Sequence, residues 1–462
     1  MTKTSQFDLR SAARPACRLI SQVFAKSVQR AARLRFLFLA FLPVTIATAA
    51  LGQALPAAEA APISTGFALP RAAGTLNYAV SASEVLTWGY YGNQGAASGT
   101  NVSGDVGYLS NSKRYPFSMV FSGGHSWSTL GEPSYSFLNL ALSQVINIKR
   151  WDFVVSDSVN YLPATPTTGL SGVPGVGDQG VSVGSDSGQG VLTVYSNRIV
   201  NTVSGSVQRP ITGRTSFNAF GAYGITRFLD DSNNSSGLDG DSLSGGGGIS
   251  HQLSARNTLG GNYTYSKFTY PGYNYSLGVV EPGFSSQTAS AFYSYLLNRK
   301  ISLNVAAGPQ WTGIEVPGGM QAISLYASGS AVYSGQFSHI SLSYVRSTSS
   351  GFGVVGGALS SSVALAAGRT FGRVWSCSAG GTYAENSNLP SSTVAPYSFE
   401  TEVANVQVSR AIVRSLSAYA NYTLEHQSSN QSAAGVDVFT GIEQVVGFGV
   451  TFSPSSYHLG RQ

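Results

Sequence analysis

The residues that could do chemistry in this chain are few and scattered. Its five histidines are His125, His251, His339, His426 and His458, and none stands at a spacing that would place two metal ligands together. His125 precedes Ser126, but no acid can be matched to them as a nucleophilic set. Gly245 to Gly248 leads into Ile249 on an alternating stretch, whereas a phosphate cradle needs a helix to follow. Cys17 precedes an apolar run, and Cys377 is left alone beside Trp375 on an apolar strand face. It reads as a small buried or lipid-facing hydrophobe, with a reactive thiol as the alternative. No catalytic residue, metal or cofactor is expected. What remains is a set of polar side chains on alternating stretches, Arg198, Gln208, Asn218, Asn304 and Asn421, together with Asp178 and Asp186 in a long polar connection.

The elements that carry these residues repeat as hairpins. An alternating strand runs into a short basic turn, and a second alternating strand leaves it. The turns lie at Lys149 and Arg150, Arg209 to Arg214, Arg256, Arg299 and Lys300, Arg369 to Arg373, and Arg410 to Arg414. Most are roughly 40 residues apart, separated by connections rich in Gly, Ser, Asn, Pro and Asp. One end of each hairpin is therefore tight and cationic, and the other is long and polar. In one strand Ile301, Leu303, Val305 and Ala307 share a face opposite Ser302, Asn304, Ala306 and Gly308. In another, Leu416, Ala418, Ala420, Tyr422 and Leu424 oppose Ser417, Tyr419, Asn421, Thr423 and Glu425. A third sets Phe217, Ala219, Tyr223 and Ile225 against Asn218, Ala222 and Thr226.

This alternation predicts 18 strands, from 76–89 to 442–453, nearly all longer than the 9–11 residues that cross a bilayer at a tilt. The expected fold class is all-β: a transmembrane antiparallel up-and-down β-barrel of about 18 strands. Sixteen is the competing count, because the first, second and sixteenth candidates alternate poorly. Asp157 falls on the apolar parity of its strand, which suggests a bulge or a place near the rim.

Composition agrees with lipid on the outside. Only 10% of the residues are charged, against roughly 25% in soluble domains. Eight of the 27 basic residues lie in the first 60 positions, and the rest of the chain balances 19 basic against 19 acidic residues. The sequence pI of 9.2 is thus a property of the N-terminus and not a nucleic-acid footprint. Phe36 to Leu51 is an apolar run preceded by Arg30, Arg33 and Arg35 and followed by small residues. That pattern predicts a secretory signal segment, with a retained anchor as the alternative. The expected domains are a signal peptide and short leader over 1–60, an N-terminal periplasmic linker over 61–75, a barrel over 76–453 and a C-terminal tail over 454–462.

Charge sorts along the hairpins. Thirteen of the 19 basic residues after position 60 fall in the short turns, which adds Lys113 and Arg114 to those named above. Acidic residues gather in the opposite connections, at Glu132, Asp178, Asp186, Asp230, Asp231, Asp239, Glu281, Glu315 and Asp437. Two explanations stand: a basic rim near anionic phospholipid heads, or simply charges placed outside hydrocarbon, where they cost little.

In the last strand Val446, Phe448, Val450 and Phe452 share a face, and Gly447, Val450 and Phe452 resemble the closing signal of outer-membrane barrel strands. Val445 stands where that signal has a polar residue, and ten residues follow Phe452. The stretch from Pro163 to Gly175 looks like a loop of such proteins. With its hairpins, the chain resembles the bacterial outer-membrane β-barrels, specifically an uncharacterised porin-like group. The resemblance implies localisation in the cell outer membrane of a Gram-negative cell, insertion by the barrel-assembly machinery and contact with membrane lipid.

Sixteen to eighteen strands leave a water-filled lumen. The expectation is therefore a channel for passive diffusion of small hydrophilic solutes, and the few inward charges suggest weak ion selectivity. Two alternatives stay open. One is a non-conducting or partner-dependent barrel associated with export or surface polysaccharide. The other is a secreted β-solenoid or adhesin, against which the apolar Ile301 and Phe217 faces argue. No nucleic-acid partner is expected, and a homo-oligomer is left open. The connection from Pro163 to Gly190 is the longest, and either folds inward as a constriction carrying Asp178 and Asp186 or lies on the surface. Deleting 170–185 should raise conductance in planar bilayers, and an unchanged conductance would remove the constriction role.

Overall fold

The computed structural model describes residues 74–89, 96–110, 112, 114–128, 134–163, 197–229, 239–270, 283–314, 321–349, 357–389, 398–430 and 440–459. All lie in the unit Ile46–Gln462. The expected signal segment, Lys113, the connection with Asp178 and Asp186, and every acidic loop residue named above except Asp239 lie outside the described residues.

The strands are β1 (Gly74–Trp88), β2 (Ala96–Ser110), β3 (Phe117–Ser128), β4 (Tyr135–Ile148), β5 (Trp151–Pro163) and β6 (Asn197–Pro210). Then come β7 (Thr215–Phe228), β8 (Gly240–Ser254), β9 (Asn257–Thr269), β10 (Phe284–Asn298), β11 (Ile301–Ile314) and β12 (Gln321–Ser334). Next are β13 (Ser338–Ser349), β14 (Ala358–Phe371), β15 (Trp375–Asn388), β16 (Ser398–Val413), β17 (Leu416–Ser429), β18 (Gly441–Phe452) and the short β19 (Tyr457–Leu459). Each of β1 to β17 pairs antiparallel with the next, and β1 pairs with β18, so eighteen strands and not sixteen close the ring. A 14-residue strand such as β11 is roughly 45 Å long and rises roughly 33 Å at a 45° tilt. That exceeds the apolar band of about 25 Å that such barrels present to lipid.

Connections at one end hold two to six residues, and those at the other hold six to thirty-three. The two-residue turn between β4 and β5 holds Lys149 at a φ of 55°. Side chains obey the period of two throughout. Ile301, Leu303, Val305 and Ala307 point outward, as do Phe217, Tyr223, Leu416, Tyr422 and Phe448; Ser302, Asn304, Asn218 and Asn421 point inward. Large exposed apolar residues sit on the outward parity, among them Val155, Leu243, Ile249, Leu342 and Leu365. Cys377 is outward too, opposite Val408.

Asp157 is outward, but neither of its ladders carries a bulge, and it lies six residues beyond Trp151. It is therefore not at the rim but roughly 14 Å up the wall. It faces Leu142 and Val203, and its Oδ1 accepts a hydrogen bond from Asn201 Nδ2 at 2.7 Å. The amide of Asn201 also donates to Ser158 O at 3.1 Å. Asp157 and Asn201 thus form a polar pair on the outward surface, as do Glu84 with Thr100 and Gln287 with Tyr263.

The wall also extends past the expected 76–453 span at both ends. β1 starts at Gly74, and Tyr457–Leu459 pair with Gly74–Leu76. The rings of Tyr78 and Tyr457 stack at 6.3 Å.

Two substitutions on the outward face should move stability in opposite directions. Ala307→Arg should cost ~2–4 kcal/mol in lipid vesicles, and Asp157→Val should gain up to about 2 kcal/mol. Reversible urea unfolding in vesicles measures both, and an unchanged Ala307→Arg protein would reject the lipid-facing placement.

Candidate functional site

The candidate site is the inner wall, since alternation delivers one residue in two to the lumen. The structure places all five expected lumen residues on the inward parity. Arg198 is at the long-loop end of β6, and Gln208 is exposed at its short-turn end. Gln208 and Asn218 are direct cross-strand neighbours. Asn304 lies between β10 and β12, where its Nδ2 donates to Ser330 Oγ at 3.0 Å and its Oδ1 accepts from Ser294 Oγ at 3.4 Å. Asn421 stands opposite Gln407 and Gly447. Gln208 and Asn218 are the only pair brought together; the others are spread around the ring.

The wall differs between its two ends. At the short-turn end the inward residues Asn77, Gln208, Gln252, His339, Thr370 and Ser378 are exposed. Towards the long-loop end of β10 to β17 several inward residues are buried, with Phe284 at 0%, Gln310 at 3%, Ser360 at 1%, Thr401 at 1% and Gln427 at 1% exposure. On β4 to β9 most inward residues at that end are half-buried, and Ser118, Ser250, Ser409 and Thr451 are buried near the short-turn end. Buried polar groups call for partners, and several here find one another, although Thr423 Oγ1, Glu425 Oε2 and Asn386 Nδ2 find none among the described residues. Thr401 Oγ1 donates to Gln427 Oε1 at 2.9 Å, and Ser360 Oγ donates to Asn386 Oδ1.

Gln310 of β11 is the hub of this belt. Its Nε2 donates to Ser286 Oγ at 3.0 Å, while its Oε1 accepts from Ser324 Oγ at 3.3 Å and from the Thr348 backbone N–H at 3.2 Å. Thr348 belongs to β13, two strands away. The contact exists because the β12–β13 ladder stops at Ala327 and Arg346. Beyond that point the end of β13 meets β11 on its inner side, and Thr348 Oγ1 lies 3.2 Å from Thr312 Oγ1. The outer end of β12 is left bare, with Ile323 at 74% exposure. Just before β14, Gly357 takes a φ of +105° and packs on the ring of Phe284, where a Cβ would clash. The ends of β13 and β14 therefore lie against the inner face of β10 and β11. Sequence gave no warning of it, since Gln310 reads as one more polar residue on an alternating strand.

The basic residues expected in turns divide into two groups. Lys149, Arg150, Arg214, Arg256, Arg299, Lys300, Arg373 and Arg414 lie in the turns. Arg209, Arg369 and Arg410 are outward residues at strand ends and lie over aromatic rings. Their guanidinium carbons are 4.7 Å from the Trp151 centroid, 5.0 Å from Phe371 and 5.2 Å from Trp375, respectively. Such pairs suit the level where rings meet lipid headgroups. Sorting is incomplete, for Arg227 lies near the long-loop end and binds Asp241 Oδ1 through Nη2 at 2.7 Å.

The histidines stay apart. His125 faces outward against Trp127, His251 bonds Thr215 and His426 lies 3.7 Å from Glu402. The side chain of His458 is outside the described residues, and among those described no group of three His, Cys, Asp or Glu could hold a metal ion.

The chain matches no protein-family model and no curated protein. Among solved structures it is similar to OccK2 (OpdF) of Pseudomonas aeruginosa, at 11% identity and a TM-score of 0.43 over 86% of this chain and 100% of that one. A BenF-like porin from Pseudomonas fluorescens Pf-5 is 12% identical, with a TM-score of 0.41 over 82% of this chain and 99% of that one. OccAB3 of Acinetobacter baumannii is 10% identical, with a TM-score of 0.40 and coverage of 82% and 99%. Likeness this distant says nothing of what passes through this barrel, and the fold rests on the strand pairing itself.

Gln310→Leu keeps the side-chain volume but leaves Ser286, Ser324 and the Thr348 N–H without their shared partner. It should destabilise the barrel by about 1–3 kcal/mol, measured as a lower urea midpoint in detergent micelles. Unchanged stability would show that the belt is not a unit.

Proposed function

We propose that this protein is an outer-membrane channel through which small hydrophilic solutes diffuse passively. The observation that carries the reading is the closed ring of eighteen strands with an apolar outward face and an inward face of Ser, Thr, Asn and Gly. Closure lets the ladder hydrogen bonds be made within the ring, as a bilayer requires, except at the outer end of β12, where the β12–β13 ladder stops at Ala327. A ring of this size holds an aqueous channel, whereas eight strands fill with their own side chains. The exposed polar wall at the short-turn end supports a wide, wet vestibule on that side. Asn218, Asn304 and Asn421 would line the path, offering hydrogen bonds without net charge. The basic short turns and the Arg–aromatic pairs support a periplasmic placement of that end, next to phospholipid heads.

One observation favours a second reading, a barrel closed at rest that opens with a partner. The ends of β13 and β14 lie against the inner face of β10 and β11, and the wall there is buried.

Single-channel recording on refolded protein decides between them. Wild-type protein with the heat-modifiable mobility of a folded barrel should give stepwise, ohmic conductance. Steps seen only in Gln310→Leu would support the resting plug, and folded protein silent in both forms would overturn the channel.

A further inference from the structure

The inward face of the described strands is unevenly charged. It carries four carboxylates, Asp105, Asp152, Glu425 and Glu443, against the single guanidinium of Arg198. Asp152 is exposed near the short-turn mouth. The other three acids are at or below 4% exposure.

Glu425 of β17 and Glu443 of β18 are direct cross-strand partners on the inner wall, in its long-loop half. Directly opposed residues have Cα atoms about 4.5–5.5 Å apart. Like charges so placed repel, and taking a carboxylate out of water is costly without a counter-charge. Glu425 is 2% exposed, and its Oε2 has no hydrogen-bond partner among the described residues. Two positions towards the short-turn end of β17, Thr423 is also 2% exposed, and its Oγ1 lacks a partner in the same sense. Two positions the other way is Gln427, and Thr87 of β1 flanks the pair from across β18. Arg198 is on β6, six strands from β18 and seven from β17 around the ring, and is not placed to neutralise the pair.

Two carboxylates with a hydroxyl and a carboxamide beside them form a set of hard oxygen donors. That chemistry suits an alkali or alkaline-earth cation, and acidic side chains on a channel wall are a general means of cation selection. We infer that Glu425 and Glu443 form a cation subsite on the lumen wall and that the channel passes small cations in preference to anions. This rests on the channel reading above.

The test is the reversal potential of the wild-type protein in planar bilayers under a tenfold KCl gradient, beside the Glu425→Gln/Glu443→Gln and Glu425→Asp/Glu443→Asp double variants. Wild type should favour K⁺ over Cl⁻ several-fold. The Gln variant should keep its conductance steps while the ratio falls towards one, and the Asp variant should keep the preference. Millimolar CaCl₂ should reduce the wild-type K⁺ preference, an effect the Gln variant should lose. Conducting wild-type protein with a ratio at or below one overturns the subsite and leaves the channel standing, even if no variant folds. A Gln variant with the wild-type ratio overturns it as well. If wild type is silent and Gln310→Leu conducts, the same ratios are read in the Gln310→Leu background; folded protein silent in both forms removes the channel and the subsite together.

Discussion

Hydrocarbon offers the backbone no hydrogen bonds, and that single constraint orders this molecule. Every N–H and C=O at membrane depth must be paired by a neighbouring strand, so a sheet survives there only if it closes. The difficulty concentrates at the seam. β2 pairs along all 15 residues of β1, from Gly74 to Trp88. β18 covers only Val80 to Trp88, because it ends at Phe452. The foot of β1 would then be an open edge of the kind that other chains can pair with. β19 removes part of that edge by laying Tyr457–Leu459 against Gly74–Leu76. The residues after Phe452, which make the chain depart from the usual closing signal, complete the ring.

Once closure is imposed, the period of two sets the rest. Each strand gives alternate residues to two solvents, and the chemistry on each side follows. Outward positions hold Val, Leu, Ile and Phe in the middle and Arg over Trp or Phe at the short-turn end. Asp157 and Asn201 break this pattern, yet they break it together, the amide meeting the carboxylate across the ladder. A lone carboxylate there would face hydrocarbon on all sides; a paired one keeps part of its solvation.

Sequence reveals whatever a single strand contains. The alternation of Ile301 to Gly308, the parity of Asp157 and the basic turns were all legible, because each is a local property of consecutive residues. The strand count was legible as well, although β1, β2 and β16 alternate poorly. Properties that arise between strands were not. Glu425 was visible as a polar-face residue, but its opposition to Glu443 depends on the register of β17 against β18. Thr348 reaches Gln310 only because the β12–β13 ladder ends early, and nothing in either strand marks that break. β19 was hidden for a different reason: three residues are too few for any period to show.

The strand number alone therefore does not set the aperture. A uniform ring of eighteen strands would wet its whole inner wall, and here part of that wall, on β10 to β17, is buried. There Ser, Thr, Asn and Gln bond one another across strands. A charge on an exposed part of the wall is screened by water and salt within about 8–10 Å. A charge on a buried part acts through a lower effective dielectric and reaches further. Asp152 and Glu425 are both inward carboxylates, yet only Glu425 sits where one charge can bias an entire path. Selectivity in such a barrel is thus decided less by how many acids line the wall than by which of them lie in its buried part.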